Sequence, residues 1–166
     1  KIFYMIKIGI ISISDRASEN IYEDQGIPSV INFFNEYFSS DINKISIDKT
    51  ILIPDNLEQI KEKIIEYVDI HKLNVVITTG GTGPSKKDLT PNATREVIEE
   101  ELPGFGEYMR SESLKYSKNA ILSRQLAGIR KDSIILNLPG SPNSIGEILP
   151  NIIDQIIHFV EERNKV

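Results

Sequence analysis

The stretch Asn74-Val75-Val76-Ile77-Thr78-Thr79-Gly80-Gly81-Thr82-Gly83-Pro84 decides the fold, because a strand runs straight into a glycine-rich loop. Its short, β-branched and mostly apolar first half is typical of a strand buried on both faces. The glycines let the backbone adopt positive φ, and successive amides in such a turn can bind an anion. The loop matches neither a Walker A motif nor the dinucleotide-binding fingerprint. The glycines alone are equally compatible with a plain tight turn.

The same alternation of strand, loop and helix extends along the whole chain. Buried strands are predicted at residues 6–13, 44–53, 74–79 and 132–138. Helical spacing of apolar residues predicts helices at residues 28–38, 57–68 and 143–162. The N-cap and first-turn proline at Thr90-Pro91 predict a helix at residues 90–101, and residues 103–116 are predicted to be helical as well. Because no repeat, linker or low-complexity stretch interrupts this pattern, we expect a single α/β domain with a mostly parallel sheet.

The composition excludes several classes of protein. The 166 residues suit one domain, and the absence of cysteine excludes a disulfide framework, a thiolate zinc site and a cysteine nucleophile. It also fits a reducing cytoplasm, which is the expected location. No apolar run approaches the roughly 20 residues that span a bilayer, so no membrane association is expected. Residues 1–5 carry no signal-peptide pattern and are predicted to be an N-terminal extension.

The charge balance bears on the kind of ligand. A net charge of −5 disfavours nucleic-acid binding, which depends mainly on neutralising phosphates. An anionic ligand would therefore be held by local groups, namely backbone amides, a metal ion or a few cations. His71 and His158 have no metal-ligand companion at useful spacing, so histidine-based catalysis is not expected.

Two aspartates are candidate metal ligands. Asp55 follows the second predicted strand, and Asp88 lies just before a helix start. Ligands of parallel sheets bind beyond the carboxyl ends of the strands, so both loops should reach the edge that holds the glycine loop. A carboxylate there would repel a phosphate unless a cation such as Mg²⁺ lies between them. Taken singly, Asp55 is also compatible with a turn residue, and Asp88 with a carboxylate favoured by the helix dipole.

Other loops supply hydroxyls, cations and backbone groups. They follow the first strand, precede the strand at 132–138, or lead into the last helix. The loop after the first strand is also compatible with a solvated loop that contains a salt bridge. Ser123-Arg124 is also compatible with a surface pair, and the loop before the last helix with a turn and a helix cap. With the glycine loop, the candidate binding residues are Ser14, Asp15, Gly80, Gly81, Thr82, Gly83, Ser123, Arg124, Pro139, Gly140 and Asn143.

Together these segments resemble the Mog-type molybdopterin adenylyltransferases, to which the gephyrin G domain is related. The segments that carry the resemblance are Ser12–Ser18, Ile53–Asp55, Thr78–Pro84, Asp88–Pro91, Pro103–Glu107, Ala120–Arg124 and Leu136–Gly140. Each segment is modest evidence by itself. The ordered set is highly specific, and it covers nearly the whole chain from about Ile6.

The resemblance implies a fold and a reaction. The fold is a three-layer α/β/α sandwich over residues 1–166, usually trimeric, and the reaction moves AMP from ATP to the terminal phosphate of molybdopterin. Asp55 and Asp88 would be the catalytic, Mg²⁺-holding pair, and the loop at residues 80–83 would bind nucleotide or pterin. A molybdate-inserting protein is a candidate partner. Ser141 departs from the Asn or Gln that relatives often carry, and the chain lacks the longer tail of some relatives.

Two alternatives belong to the same fold. One is the central domain of a molybdate-inserting protein, and the Ser-Asp-Arg and Pro-Gly-Phe-Gly segments favour the adenylyltransferase branch over it. The other is a non-catalytic carrier or scaffold that binds molybdopterin, and the presence of both Asp55 and Asp88 argues against it.

The expected nucleophile, a phosphate monoester with a second pKa near 6, is largely dianionic at pH 7. No catalytic histidine or cysteine is therefore needed.

Overall fold

A computed structural model describes residues 5–165, which form six strands and six α-helices. Except for Met5, the predicted N-terminal extension lies outside the described residues. The strands are β1 (Ile6–Ile13), β2 (Ile45–Ile53), β3 (Val75–Thr79), β4 (Glu100–Glu101), β5 (Ala127–Arg130) and β6 (Ser133–Leu138). The helices are α1 (Asp15–Ser18), α2 (Gly26–Tyr37), α3 (Leu57–Ile65), α4 (Thr90–Val97), α5 (Pro103–Leu114) and α6 (Pro142–Arg163). None of the helices described between residues 5 and 165 has the length and apolar character that a membrane span requires.

The strands form one sheet in the order β2-β1-β3-β6-β5-β4. The first four strands of that order are parallel, whereas β5 runs antiparallel to β6 and β4 antiparallel to β5. The predicted mostly parallel sheet is therefore confirmed. The antiparallel pair closes one edge of the sheet.

Helices cover both faces of the sheet, which gives the three layers that were expected. On one face, Phe34 of α2, Met109 of α5 and Ile152 of α6 pack in one core with the buried side chains of the sheet. On the other face, Ile64 of α3 and Ala93 of α4 belong to a second core. Central strands that are covered on both sides must be apolar almost throughout, as the continuous runs in β1, β3 and β6 are.

The helix predicted over residues 90–101 is wrong at its C-terminal end. It stops at Val97, and Ile98 is already extended with φ −78° and ψ 151°. The next residues join the sheet edge instead, because the N–H of Glu99 donates to the carbonyl of Ile129 at 2.7 Å. Three consecutive glutamates at 99–101 would lie at the negative end of the helix dipole, and Leu102 precedes a proline. Both features favour an extended chain, and they account for β4.

The loops after the parallel strands meet at one edge of the sheet, as the sequence predicts. The N–H of Ser14, which follows β1, donates to the carbonyl of Ile53 at the end of β2 at 3.0 Å. The N–H of Gly80, which follows β3, donates to the carbonyl of Leu138 at the end of β6, also at 3.0 Å. These bonds tie four strand ends together and form the floor of the site.

Candidate active site

The glycine loop requires two of its glycines for the shape of its backbone. Gly80 and Gly81 have φ values of +96° and +64°. A Cβ on Gly80 would lie 2.2 Å from the carbonyl oxygen of Ile13, and one on Gly81 would lie 2.5 Å from Oγ1 of Thr90. The Thr90 hydroxyl donates to the Gly80 carbonyl at 2.9 Å, and its N–H donates to the Gly81 carbonyl at 3.2 Å. The start of α4 therefore holds the loop in place.

The next three amides of this loop are available to a ligand. Within residues 5–165, the backbone N–H groups of Gly81, Thr82 and Gly83 donate no hydrogen bond. The loop carbonyls, in contrast, are used, since the N–H of Arg124 donates to the carbonyl of Thr82 at 2.8 Å. A turn with successive free amides is a site for a phosphate or another anion.

Asp15 and Asp55 are joined by a reciprocal pair of hydrogen bonds. The N–H of Asp15 donates to Oδ2 of Asp55 at 3.1 Å, and the N–H of Asp55 donates to Oδ1 of Asp15 at 2.9 Å. A Cβ on Gly81 would lie 2.9 Å from Oδ1 of Asp55, so this carboxylate contacts the glycine loop. The first residue of α1 and the loop after β2 are thereby locked together beside the free amides.

Burial raises the pKa of the Asp55 carboxyl above its ordinary value. The negative charges of Asp15 and Asp88 raise this pKa further, whereas the backbone N–H of Asp15 and the charge of Lys87 lower it. The carboxylates of Asp15 and Asp88 therefore act electrostatically on that of Asp55. A cation placed among them would relieve that repulsion.

Asp88, which lies beside Gly83, is the third carboxylate of this acidic group. Its Oδ2 accepts the N–H of Ser85 at 2.9 Å and would lie 2.9 Å from a Cβ on Gly83. None of the ion pairs found within residues 5–165 involves Asp15, Asp55 or Asp88. The same residues contain no group of three His, Cys, Asp or Glu side chains that could hold a metal by themselves. A metal here would need ligands from a substrate.

Arg124 holds the glycine loop in position through hydrogen bonds from its side chain. Its guanidinium donates through Nε to the carbonyl of Gly83 at 2.9 Å and through Nη1 to Oδ1 of Asn92 at 2.9 Å. Through Nη2 it donates to the carbonyl of Asp88. Three of its donors are thus committed to the protein, so Arg124 positions the loop and the carboxylate.

Two cavities border the glycine loop, one at its end and one at its start. The first, which we call the Gln125 cavity, has a volume of about 410 Å³ and is lined by Thr82, Gly83, Ser113, Ser123, Gln125 and Glu147, among others. The second, the Tyr22 cavity, has a volume of about 320 Å³ and is lined by Ser14, Tyr22, Asp24, Gly80, Gly140 and Pro142, among others. A larger cavity of about 510 Å³ lies between α5 and α6, but it contains none of the candidate residues. The candidate binding residues that line a cavity therefore belong to the two smaller ones.

The predicted residues divide between these places. Ser14, Gly80 and Gly140 line the Tyr22 cavity, whereas Thr82, Gly83, Ser123 and Pro139 line the Gln125 cavity. Asp15, Asp55, Gly81 and Asp88 line neither cavity, but Asp55 and Asp88 contact the glycine loop and Asp15 is hydrogen-bonded to Asp55. Asn143 is exposed in the first turn of α6, where it separates Pro142 of one cavity from Ser144 of the other.

Sequence reasoning missed four residues of the site. The sequence indicated Thr90 only as the start of a helix. Tyr22 forms a hydrogen bond with Ser14 at 2.7 Å, which no local pattern in the sequence indicates. Ser113 and Gln125 are buried polar residues of the Gln125 cavity. Gln125 lies two residues before the start of β5, a four-residue strand that the sequence did not predict, so its burial could not be foreseen.

Comparison with known proteins agrees with this architecture. The profile of the family described as a probable molybdopterin binding domain matches residues 9–158. Two curated proteins named molybdopterin adenylyltransferase are similar to the chain. The one from Haemophilus influenzae is 46% identical over 91% of this chain and 75% of its own length, and the one from Escherichia coli K12 is 47% identical over 90% and 74%.

A solved structure extends the likeness to three dimensions. The molybdopterin biosynthesis enzyme MoaB from Thermus thermophilus superposes with a TM-score of 0.84 at 32% identity and covers 96% of both chains. The chain therefore belongs to the family of probable molybdopterin-binding domains.

Proposed function

We propose that this protein is a molybdopterin adenylyltransferase, which transfers AMP from ATP to the terminal phosphate of molybdopterin and releases pyrophosphate. The observation that carries the proposal is the arrangement around the glycine loop. Within residues 5–165, three free amides of this loop adjoin the carboxylates of Asp55 and Asp88, which form no ion pair, and the loop lines two cavities, so two ligands can meet at one phosphate-binding loop. The names of the similar bacterial proteins support the same reaction.

The residues present fit Mg²⁺ as the cation of the reaction. Mg²⁺ is typically bound by one or two carboxylates together with substrate phosphates, and it keeps several waters. Asp55 and Asp88 are the residues that would hold it, with Asp15 adding negative charge beside Asp55. The ion would supply neutralisation of the phosphate charge during transfer.

The protein's own part in the reaction is positioning. The amides of Gly81, Thr82 and Gly83 would bind phosphate, and Arg124 would keep that loop and Asp88 in register. In the transfer, an oxygen of the molybdopterin phosphate forms a bond to the α-phosphorus of ATP as the bond from that phosphorus to the β-phosphate bridge breaks. Because the attacking phosphate is mostly dianionic at pH 7, no side chain has to remove a proton. Alignment of the two reactants supplies the rate enhancement.

The test is a direct assay of both products. The purified chain is incubated with molybdopterin, ATP and Mg²⁺, and pyrophosphate is measured together with adenylyl-molybdopterin by mass. We expect both products to require molybdopterin and to vanish in Asp55→Asn and Asp88→Asn. Asp132→Asn is the matched control, because Asp132 is exposed in the β5–β6 turn. Molybdopterin binding without pyrophosphate release would instead identify a carrier and would overturn the proposed activity.

The assembly and cellular setting follow from the same family resemblance. We propose one domain over residues 1–166, a homotrimer in solution, a cytoplasmic location, and transfer of the product to a molybdate-inserting protein. Light scattering of the purified chain at several concentrations measures its mass. A mass three times that of the chain is expected, and a stable monomer would contradict the trimer.

A further inference from the structure

The turn between the glycine loop and α4 presents two lysines beside the carboxylate of Asp88. The N–H of Asp88 donates to the carbonyl of Ser85 at 3.0 Å, which closes a β-turn with Lys86 and Lys87 at its two central positions. The N–H of Ser85 donates to Oδ2 of Asp88 at 2.9 Å, and the N–H of Lys87 donates to Oγ of Ser85 at 3.2 Å. These three hydrogen bonds fix the backbone of the turn against that carboxylate.

The ammonium group of Lys87 is not committed to the protein. Lys87 is exposed, and within residues 5–165 its ammonium donates no hydrogen bond and belongs to no ion pair. Its charge nevertheless lowers the pKa of the Asp55 carboxyl, so the ammonium is close enough to act on the acidic group of the site. A cation that is near these carboxylates but paired with none of them is available to an anionic ligand.

Two other cations close to the site are already engaged. Arg124 gives three of its donors to protein acceptors, among them the carbonyls of Gly83 and Asp88. The guanidinium of Arg16 lies over the ring of Tyr22, 5.3 Å from its centroid. Lysine also has the more suitable geometry for a moving anion, because its ammonium is a compact charge with three rotatable donors on a flexible stem. Lys87 is therefore better placed than either arginine to follow a phosphate that moves during the reaction.

We propose that Lys87 is a catalytic residue that binds the β- and γ-phosphates of ATP and stabilises them as they depart as pyrophosphate, an inference that rests on the proposed function. Transfer of AMP breaks the bond between the α-phosphorus and the bridging oxygen, and the electron pair stays on that oxygen. The leaving group therefore gains negative charge in the transition state, close to carboxylates that repel it. The Lys87 ammonium offsets this charge and keeps its proton, which is how lysine and arginine act in other phosphoryl transfers.

The position of Lys87 suits this part of ATP and not the two ring systems. Lys87 lines neither the Gln125 cavity nor the Tyr22 cavity, so it does not contact a base or a pterin that occupies one of them. It is the direct neighbour of Asp88, whose Oδ2 lies beside Gly83. A phosphate that shares a cation with Asp88 is consequently within reach of the Lys87 ammonium.

Calorimetric titration with magnesium pyrophosphate and, separately, with AMP tests this assignment without requiring turnover. The variants are Lys87→Gln, which removes the charge, and Lys87→Arg, which keeps it. Lys86→Gln is the matched control, because Lys86 is the exposed neighbour in the same turn. We expect Lys87→Gln to weaken pyrophosphate binding about 10-fold or more and to leave AMP binding within about twofold, since AMP has no β-phosphate. Lys87→Arg should restore most of the lost affinity, and Lys86→Gln should bind both ligands as the wild type does.

Steady-state kinetics of the adenylylation assay provide the second measurement. Lys87→Gln should lower kcat about 10- to 100-fold while the KM for molybdopterin stays within about twofold, because the lost contact is made to the leaving group. Unchanged pyrophosphate affinity in Lys87→Gln would overturn the assignment, and so would equal losses for pyrophosphate and AMP or equal effects of Lys86→Gln. Pyrophosphate binding that depends on Lys87, in a protein that forms no adenylyl-molybdopterin, would keep Lys87 as the phosphate ligand and refute only the proposed reaction.

Discussion

Asp15 and Asp55 each accept a hydrogen bond from the backbone N–H of the other, so two carboxylates are held together although 40 positions separate them. Burial of Asp55 disfavours its charged form, and the negative charge of Asp15 adds to that cost. The fold thus maintains an unfavourable charge arrangement that a bound cation, or protonation of Asp55, would relieve.

Substitution of Asp55 by Asn should therefore stabilise the protein while removing its activity. Asn keeps the acceptor for the N–H of Asp15 but carries no charge. Because the pKa of Asp55 is raised in the folded chain, its unfavourable contribution is absent below the unfolded value of 3.8 and complete above the folded value. Asp55→Asn should therefore raise the free energy of unfolding at pH 7.

Chemical denaturation at pH 7 and at pH 3 measures this effect, with Asp132→Asn as the control at both values. The gain from Asp55→Asn should disappear at pH 3, where both forms of residue 55 are uncharged. A variant less stable than the wild type at pH 7 would show that the carboxylate charge stabilises the fold.

Substitution of Gly81 by Ala should damage both stability and catalysis. An alanine at position 81 would have to adopt a φ of +64°, and its Cβ would lie 2.9 Å from Oδ1 of Asp55. We expect a loss of about 1 to 3 kcal/mol in the free energy of unfolding, together with at least a tenfold loss of kcat. Gly146→Ala is the matched control, because a Cβ at this helical position meets nothing within 4 Å. That variant should gain about 0.5 to 1 kcal/mol. Equal effects of the two substitutions in thermal unfolding would contradict the special role of Gly81.

The sequence predicted best where a local pattern determines structure. The apolar run of residues 6–13 gave β1 with the observed bounds, and the strand–glycine pattern placed the loop at residues 80–83 correctly. The short strand β5 was missed, because Ala127-Gly128-Ile129-Arg130 has little β-branched character and one glycine. Its partner β4 was hidden inside a predicted helix.

The candidate site shows the same division. Asp55 and Asp88 were found because each lies in a loop that follows a predicted strand. The pairing of Asp15 with Asp55 depends on the register of β1 and β2, which no spacing within the sequence reports. Gln125 could not be recognised at all, because the feature that distinguishes it is the absence of a protein partner at a buried amide.

Substitution of Arg124 by Lys should impair catalysis although the charge is kept. A single ammonium cannot reach the carbonyls of Gly83 and Asp88 and the side chain of Asn92 together, as the guanidinium does. We expect kcat to fall about 10- to 100-fold with smaller changes in the KM for ATP, because a misplaced loop affects the transition state most. Arg95→Lys is the control, since Arg95 forms an exposed pair with Glu101. Steady-state kinetics with a KM increase and an unchanged kcat would instead make Arg124 a direct substrate ligand.

The pair of Asp69 and Arg130 should make the stability of the fold depend on acid pH. Arg130 donates through Nε to Oδ1 of Asp69 at 3.0 Å and through Nη2 to Oδ2 at 2.8 Å, which joins the π-helical turn after α3 to β5. The hydrogen bonds from Arg130 hold the pKa of Asp69 at about 2. The stabilisation is complete above the unfolded value of 3.8 and is lost as the pH falls toward 2.

Asp69→Asn should therefore lower the free energy of unfolding at pH 7 by about 1 to 2 kcal/mol, a value reduced for the partial exposure of both side chains. The difference from the wild type should shrink below pH 4 and vanish near pH 2. Asp41→Asn, which removes an exposed pair with Lys44, should cost no more than about 0.5 kcal/mol at any pH. Urea unfolding between pH 2 and pH 7 distinguishes the two. A constant difference for Asp69→Asn across that range would mean that the lost contact is one of packing, because only a charge interaction titrates with the carboxyl group.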